Sequence, residues 1–291
     1  FTNIADDTGL RFQYRNAADP VQREFRLFEA YGAGVACLDF DNDGRIDFYA
    51  GQAAGDPPDG EGILPNLLAR NLGDKFDDAT QAAGCDDRRY SCGVTSGDWN
   101  QDGWIDLVVG NIQSNQLLIN QGDGTFRSAG VDELWTDPLY TTGLGIADVD
   151  GDHLPDIVEV NYVDDVTMYD PIQYKPDGTP VRLPGPLHFH PSADRVFRSQ
   201  GDGSLRGQML GTDGVASPAT GLGLIVTNLD GKPGNEIFVG NDLMANQLWQ
   251  FKPPSGDKPG SWVDSGVIRG VAYGSGGMPL ACMGIAVADF D

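Results

Sequence analysis

The apolar residues of this 291-residue chain fall in short runs bounded by glycine and by clusters of aspartate and asparagine. Gly34-Val-Ala-Cys-Leu38 leads into an acidic stretch, and Ile46-Asp-Phe-Tyr-Ala50 leads out of it. Cys92-Gly-Val-Thr-Ser-Gly97 and Ile105-Asp-Leu-Val-Val-Gly110 flank a second acidic stretch, and Ile237-Phe-Val-Gly240 follows a later one. Short, β-rich runs with glycine at their ends predict strands. No apolar spacing of three and four residues persists long enough to predict a helix. Each acidic stretch is therefore read as a connection between two antiparallel strands.

These connections share one pattern. The first is Asp39-Phe-Asp41-Asn-Asp43-Gly44-Arg45-Ile46-Asp47, the second Asp98-Trp-Asn100-Gln-Asp102-Gly103-Trp104-Ile105-Asp106, and the third Asp148-Val-Asp150-Gly-Asp152-His153-Leu154-Pro155-Asp156. Oxygen side chains stand at positions one, three, five and nine. That spacing suits Ca2+, a hard cation that takes six to eight oxygens at about 2.3–2.6 Å. Position six is Gly44 or Gly103, where the chain must turn sharply. His153 takes this place in the third loop and is expected in a turn or left-handed conformation, not as a ligand. Position seven (Arg45, Trp104, Leu154) is expected to offer its backbone carbonyl, and the aspartate at nine to close the cage. Magnesium demands stricter octahedral geometry and keeps its water. Zinc and copper favour nitrogen and sulfur, which the loops lack. An acidic turn that binds nothing would account for one such loop, but three in register argue against it.

A fourth loop, Asn228-Leu-Asp230-Gly-Lys232-Pro-Gly-Asn-Glu236, is degenerate. Asn228, Asp230 and Glu236 make a weaker candidate site, because Lys232 at position five cannot ligate and is expected to pair with Asp230 or Glu236. Asp289-Phe-Asp291 opens a fifth loop, which reads as part of a longer chain.

Each unit has a second half. Asn66-Leu-Leu-Ala-Arg-Asn71 precedes Gly-Asp-Lys-Phe76, Asn115-Gln-Leu-Leu-Ile-Asn120 precedes a Gly-Asp-Gly turn, and Asp194-Arg-Val-Phe-Arg-Ser-Gln200 precedes another. Two apolar runs around such a turn predict a β-hairpin. A unit of four strands, repeated at irregular spacing, is compatible with a propeller blade. Phe1 to Gly9 also resembles Phe76 to Gly84 and Trp262 to Gly270, so the chain is expected to open on the outer strand of a blade.

Taken together, the units resemble FG-GAP (VCBS-type) repeats, and the chain is similar to bacterial proteins of the cartilage acidic protein family. Tyr31-Gly-Ala-Gly-Val through Asp47, Asn161-Tyr-Val-Asp164, and Ser192-Ala-Asp-Arg-Val-Phe197 leading into Gly201-Asp-Gly203 carry the likeness. The resemblance implies an all-β propeller of seven four-stranded blades when intact, with calcium in the loops between the first two strands of certain blades. Residues 1–291 are then a partial propeller of four to five blades. The ASPIC/UnbV-type domain that often follows in related proteins has no counterpart here.

Composition narrows the partners. A formal charge of −24 comes from 43 acidic residues, and three filled calcium cages would cancel six of those charges. No basic stripe suits nucleic acid, and no apolar run approaches the roughly 18 residues of a membrane span. Calcium loops of this kind suit millimolar external calcium, so a secreted, cell-surface or periplasmic location is expected. Cys85 and Cys92 bracket a short polar turn and are candidates for a disulfide, whereas Cys37 reads as a buried hydrophobe. The longest insertion, about residues 162–193, is where a rigid scaffold would place a binding surface. It contains His188 and His190, a weak pair for a transition metal and better read as loop packing. Asn111, Asn161 and Asn241 close the second strands of their units and read as caps on the backbone. No phosphate loop, His-Glu-x-x-His or Gly-x-Ser-x-Gly is present. The reading is a calcium-binding scaffold for a protein or glycan partner. A propeller hydrolase or lyase acting on polysaccharide or phosphate esters, and a structural subunit of a larger assembly, are the alternatives.

Overall fold

The computed structural model describes residues 3–16, 25–58, 60–112, 114–130, 139–179, 181, 185–212, 214–257 and 259–288. Four sheets follow one another along the chain, each built on four antiparallel strands in sequence order. The first holds β1 (Val35–Leu38), β2 (Asp47–Ala50), β3 (Leu67–Asn71) and β4 (Phe76–Asp78). The second holds β5 (Ser91–Gly97), β6 (Asp106–Asn111), β7 (Gln116–Asn120) and β8 (Phe126–Ser128). β9 (Thr141–Ala147), β10 (Asp156–Asn161), β11 (Arg195–Ser199) and β12 (Leu205–Met209) form the third. A short hairpin, β13 (Gly211–Thr212) and β14 (Val215–Ala216), adds to the edge of the fourth. That sheet's main strands are β15 (Gly221–Thr227), β16 (Glu236–Asn241), β17 (Gln247–Lys252) and β18 (Ser261–Asp264). Among the described residues the only helical elements are 3-10 turns such as Leu27–Ala30 and Pro186–His188. None of the described helices is long and apolar enough to cross a membrane.

The chain separates into two compact units. One is Phe1–Pro138 with Val166–Pro184, and the other is Leu139–Asp165 with Gly185–Asp291. Each has its own core between two sheets. In the first unit, Leu38, Phe40, Tyr49, Leu68, Leu107, Val109, Leu118 and Phe126 pack together. In the second, Val158, Val160, Val196, Ile237, Val239, Trp249 and Trp262 do so. The second strand of a sheet is covered on both faces, and β6 and β10 are buried at every residue. Burial on both faces explains the apolar run Leu107-Val-Val109 of β6, whereas β1 alternates exposed and buried residues; in β10 the buried Glu159 is paired with Arg195.

That alternation corrects one expectation. Ala36 and Leu38 take the buried positions, so Cys37 between them is exposed. The expected Cys85–Cys92 disulfide is not formed either. Both residues are buried with free thiols. Cys85 Sγ faces the carbonyl of Thr80 at 3.5 Å and Cys92 Sγ that of Tyr90 at 3.9 Å. The turn between them is held by other partners: Arg88 O and Asp87 O accept from Gly62 N and Asn66 N. Burial pushes the Cys85 thiol up to about 12.

The likeness between Phe1–Gly9 and Phe76–Gly84 has a structural basis. In both, the residue at the eighth place donates back to the fourth and accepts from a β-strand, Thr8 O from Phe76 N and Ala83 O from Phe126 N, each at 2.7 Å. Asn3–Gly9 is turn and irregular chain, not strand, while Phe1 and Thr2 lie outside the described residues.

Candidate metal centre

Each nine-residue loop runs from the end of a first strand to the start of the second. Its ninth residue opens the second strand and pairs with the last residue of the first: Leu38 with Asp47, Gly97 with Asp106, Ala147 with Asp156 and Thr227 with Glu236. The second residue drives an apolar side chain into the core, as Phe40, Trp99 and Val149 do. Leu229 of the fourth loop stays exposed.

The loop backbone is held by its own carboxylates. Asp39 Oδ1 accepts from Asp43 N at 3.0 Å and its Oδ2 from Gly44 N at 2.8 Å. Asp98 accepts from Asp102 N and Gly103 N, and Asp148 from Gly151 N and His153 N. The turn requires positive φ at positions four and six. Asn42, Gln101 and Gly151 supply the first, and Gly44, Gly103 and His153 the second. His153 thus takes the left-handed conformation expected of it. In the fourth loop proline stands at position six and cannot do so. The positive φ moves to Gly234.

Three carboxylates converge in two of the loops. Ligand oxygens of Asp39, Asp41 and Asp47 lie within 4.8 Å of one another, as do those of Asp148, Asp150 and Asp156. Oxygens that close suit one shared cation. Asp41 Oδ1 is buried and accepts no hydrogen bond, which leaves its lone pairs available. These residues fit a hard divalent ion. The first group borders a cleft of about 510 Å3 lined by Asp41, Asp43, Arg70, Asp123 and Thr125. In the second loop the third position is the amide of Asn100, whose Nδ2 donates to Asp102 Oδ2 at 2.8 Å.

Position five stands apart from these trios. Asp43, Asp102 and Asp152 each turn Oδ1 back to the N–H of Arg45, Trp104 and Leu154, at 2.9 Å in every case. Asp43 is also ion-paired with the Arg45 guanidinium. In the fourth loop Lys232 pairs with Asp230, as its sequence suggested, and Gln250 donates to Glu236. Asn228 holds Gly231 N and Lys232 O.

Position nine is a clamp before it is anything else. Asp47 accepts from Phe40 N and Asn71 N, Asp106 from Trp99 N and Asn120 N, and Asp156 from Val149 N and Ser199 N. One carboxylate therefore ties the loop's second residue to the end of the third strand. A metal would share its remaining lone pairs. A second clamp lies at the opposite end of the second strand. The side-chain oxygens of Asn66, Asn115, Asp194 and Asn246 accept from Gln52, Asn111, Asn161 and Asn241 N, respectively. Asn111, Asn161 and Asn241 are themselves fully buried and donate to the carbonyls of Ser114, Ala193 and Ala245. His188 sits in a 3-10 turn rather than an extended segment, so it and His190 do not alternate as a pair. Neither belongs to a metal-holding group among the described residues.

Burial raises the position-nine carboxyls above their ordinary range, Asp106 to about 6 and Asp156 to about 7, with Asp47 shifted the same way. Desolvation is the main cause, and the neighbouring carboxylates add to it. Backbone N–H groups oppose the shift. Burial also pushes Asp194 up to about 8. A folded carboxyl above the unfolded value of about 3.9 holds a proton that the unfolded chain releases. Its contribution to stability is complete below that value and is lost as pH rises through the folded pKa. Asp123 and Asp202, lowered by bonds from Thr125 and Ser204, act oppositely but are exposed and weigh little. The metal-free protein is expected to lose stability steadily from pH 5 to 8 in denaturant titrations. Metal binding, which needs the ionised form, should release protons at pH 6. Rising metal-free stability over this range would contradict the assignment.

Residues 39–109 and 98–159 each match the model of the FG-GAP-like repeat. The chain carries FG-GAP-like repeats. The two matched stretches start at the first residues of the first and second acidic loops, so the FG-GAP-like unit and the loop-centred sheet share one frame. No curated protein matches the chain. Solved structures similar to it include two examples. One is an Agrocybe aegerita lectin described as recognising non-reducing terminal N-acetylglucosamine, with 16% identity over 78% of this chain and 49% of that one, at a TM-score of 0.40. The other is the V. cholerae biofilm matrix protein Bap1, with 19% identity over 81% of this chain and 39% of that one, at a TM-score of 0.35. The chain spans about half the length of the first and less of the second.

Proposed function

We propose that this chain is a calcium-stabilised β-propeller scaffold that works outside the cytoplasm and presents its loops to a protein or glycan partner. The observation that carries the reading is the convergence of Asp39, Asp41 and Asp47, and of Asp148, Asp150 and Asp156, on shared points. The FG-GAP-like repeats over residues 39–159 support it. Asp98, Asn100 and Asp106 form the corresponding set in the second loop. The carbonyls of Arg45, Trp104 and Leu154 add a backbone oxygen to each set, and Asp43, Asp102 and Asp152 join by turning from their backbone bonds. The fourth set, Asn228, Asp230 and Glu236, is already occupied by the Lys232 ammonium. Bound calcium supplies a local charge that neutralises the crowded carboxylates; the protein's part is to hold the loops in shape beforehand. The four sheets are read as successive blades of one ring that has seven when complete.

Isothermal titration of EDTA-treated protein with Ca2+ is expected to give about three sites per chain, with Asp41→Ala and Asp150→Ala each removing one. Absence of calcium uptake by folded, metal-free protein would sink the calcium assignment. Glycan-array and pull-down screens in calcium and in EDTA test the partner. Capture should be calcium-dependent, and turnover of a glycan or phosphate ester would favour an enzyme instead.

A further inference from the structure

In each of the four sheets the register fixes one equivalent place on the third strand, which in the first, third and fourth reaches loop position three. Phe48 pairs with Ala69, Leu107 with Leu118, Ile157 with Phe197, and Ile237 with Trp249. The next residues are therefore equivalent: Arg70, Ile119, Arg198 and Gln250. Their identities follow the loop they face. Where position three is aspartate in an otherwise acidic loop, an arginine meets it. Arg70 Nη2 lies 2.5 Å from Asp41 Oδ2, and Arg198 Nη1 lies 2.9 Å from Asp150 Oδ2. Where position three is the neutral Asn100, the equivalent residue is Ile119. In the fourth loop Lys232 already pairs with Asp230, and the place is taken by neutral Gln250, whose Nε2 reaches Asp230 Oδ2 at 3.4 Å.

A third-strand arginine thus stands only at the two loops that carry four carboxylates, the first of which also holds Arg45 on Asp43. Arginine is suited to this, because it cannot shed its proton. Nε of both Arg70 and Arg198 is buried without a hydrogen-bond acceptor, so neither guanidinium is placed there by a full set of its own bonds. Arg198 also lies over the Phe251 ring at 5.2 Å. At the first cage the guanidinium approaches Oδ2 of Asp41 and leaves Oδ1 without a donor.

We propose that Arg70 and Arg198 are built-in counter-cations that balance the metal-free first and third loops and lower their affinity for calcium. The inference rests on the calcium reading and deepens it. A positive charge one carboxylate away repels a divalent ion, by about tenfold in affinity even at the dielectric of water. The arginines hold the cages together without metal and set how much calcium is needed to fill them.

The test is calorimetric titration of the EDTA-treated full chain with Ca2+, alongside the melting temperature without metal, for wild type, Arg70→Gln, Arg198→Gln and Arg70→Lys. Glutamine is chosen because the fourth unit carries it at this place. Each glutamine variant is expected to tighten one site by about tenfold or more while lowering the metal-free melting temperature. Arg70→Lys, which keeps the charge, should retain wild-type affinity. A purely structural arginine would instead give a lower melting temperature with unchanged or weaker calcium binding, and that result overturns the proposal. Wild-type protein that takes up no calcium would remove the calcium reading and this inference with it. Should Arg70→Gln fail to fold, Arg198→Gln in the other compact unit reads the same quantity.

Discussion

Chelation is expected to lower the melting temperature of this chain by about 15–25 °C, and added calcium to restore it where magnesium does not. The size follows from linkage. A site filled at a thousandfold excess over its dissociation constant stabilises the folded state by about 4 kcal/mol if the unfolded chain binds nothing. In a chain of this size each kcal/mol moves the midpoint by about 2 °C or a little more. Two or three cages therefore produce a shift well outside calorimetric error. The loss should spread over both compact units, because one acidic trio lies in each. Scanning calorimetry of metal-free, calcium-loaded and magnesium-loaded protein measures it directly. Equal midpoints in calcium and in EDTA would leave the loops as acidic turns.

Replacing Asp156 by alanine is expected to cost about 3–5 kcal/mol with or without metal. The carboxylate is fully buried and accepts from Val149 N and Ser199 N, both at 3.0 Å. Its removal strands two buried donors, each worth about 1–3 kcal/mol. It also releases the loop from the third strand. Asp152→Ala is the contrast. That side chain caps only Leu154 N in an exposed part of the loop, so in EDTA its loss should cost about 1 kcal/mol or less, although calcium binding weakens. Denaturant titrations of both variants in EDTA separate the clamp from the cage. Equal losses would mean that position nine acts through the metal alone.

Much of this was legible from residue order. Strand runs, the four-strand unit and the loops at matching strand ends follow from apolar runs and glycine–aspartate turns, because both act over a few residues. His153 in the left-handed region and Lys232 on Asp230 were also readable, since each depends on neighbours within the same loop. Cys37 was misread because one residue of register decides which way a strand side chain points. The Cys85–Cys92 pairing failed for a related reason. Proximity in sequence says nothing about what holds the intervening turn, and here Gly62 N and Asn66 N donate to its carbonyls.

By itself, then, the sequence determined the repeat, the strands and which loops are rich in oxygen, because turn chemistry and side-chain alternation are local. Only the tertiary structure decided how each carboxylate is used. Positions one, three and nine converge, position five turns to the backbone, and position nine grips residues as distant as Asn120 or Ser199. The same packing sets Arg70 and Arg198 against position three. Charge balance and burial in each cage are set by what the third strand brings alongside, and no spacing within the loop encodes that partner.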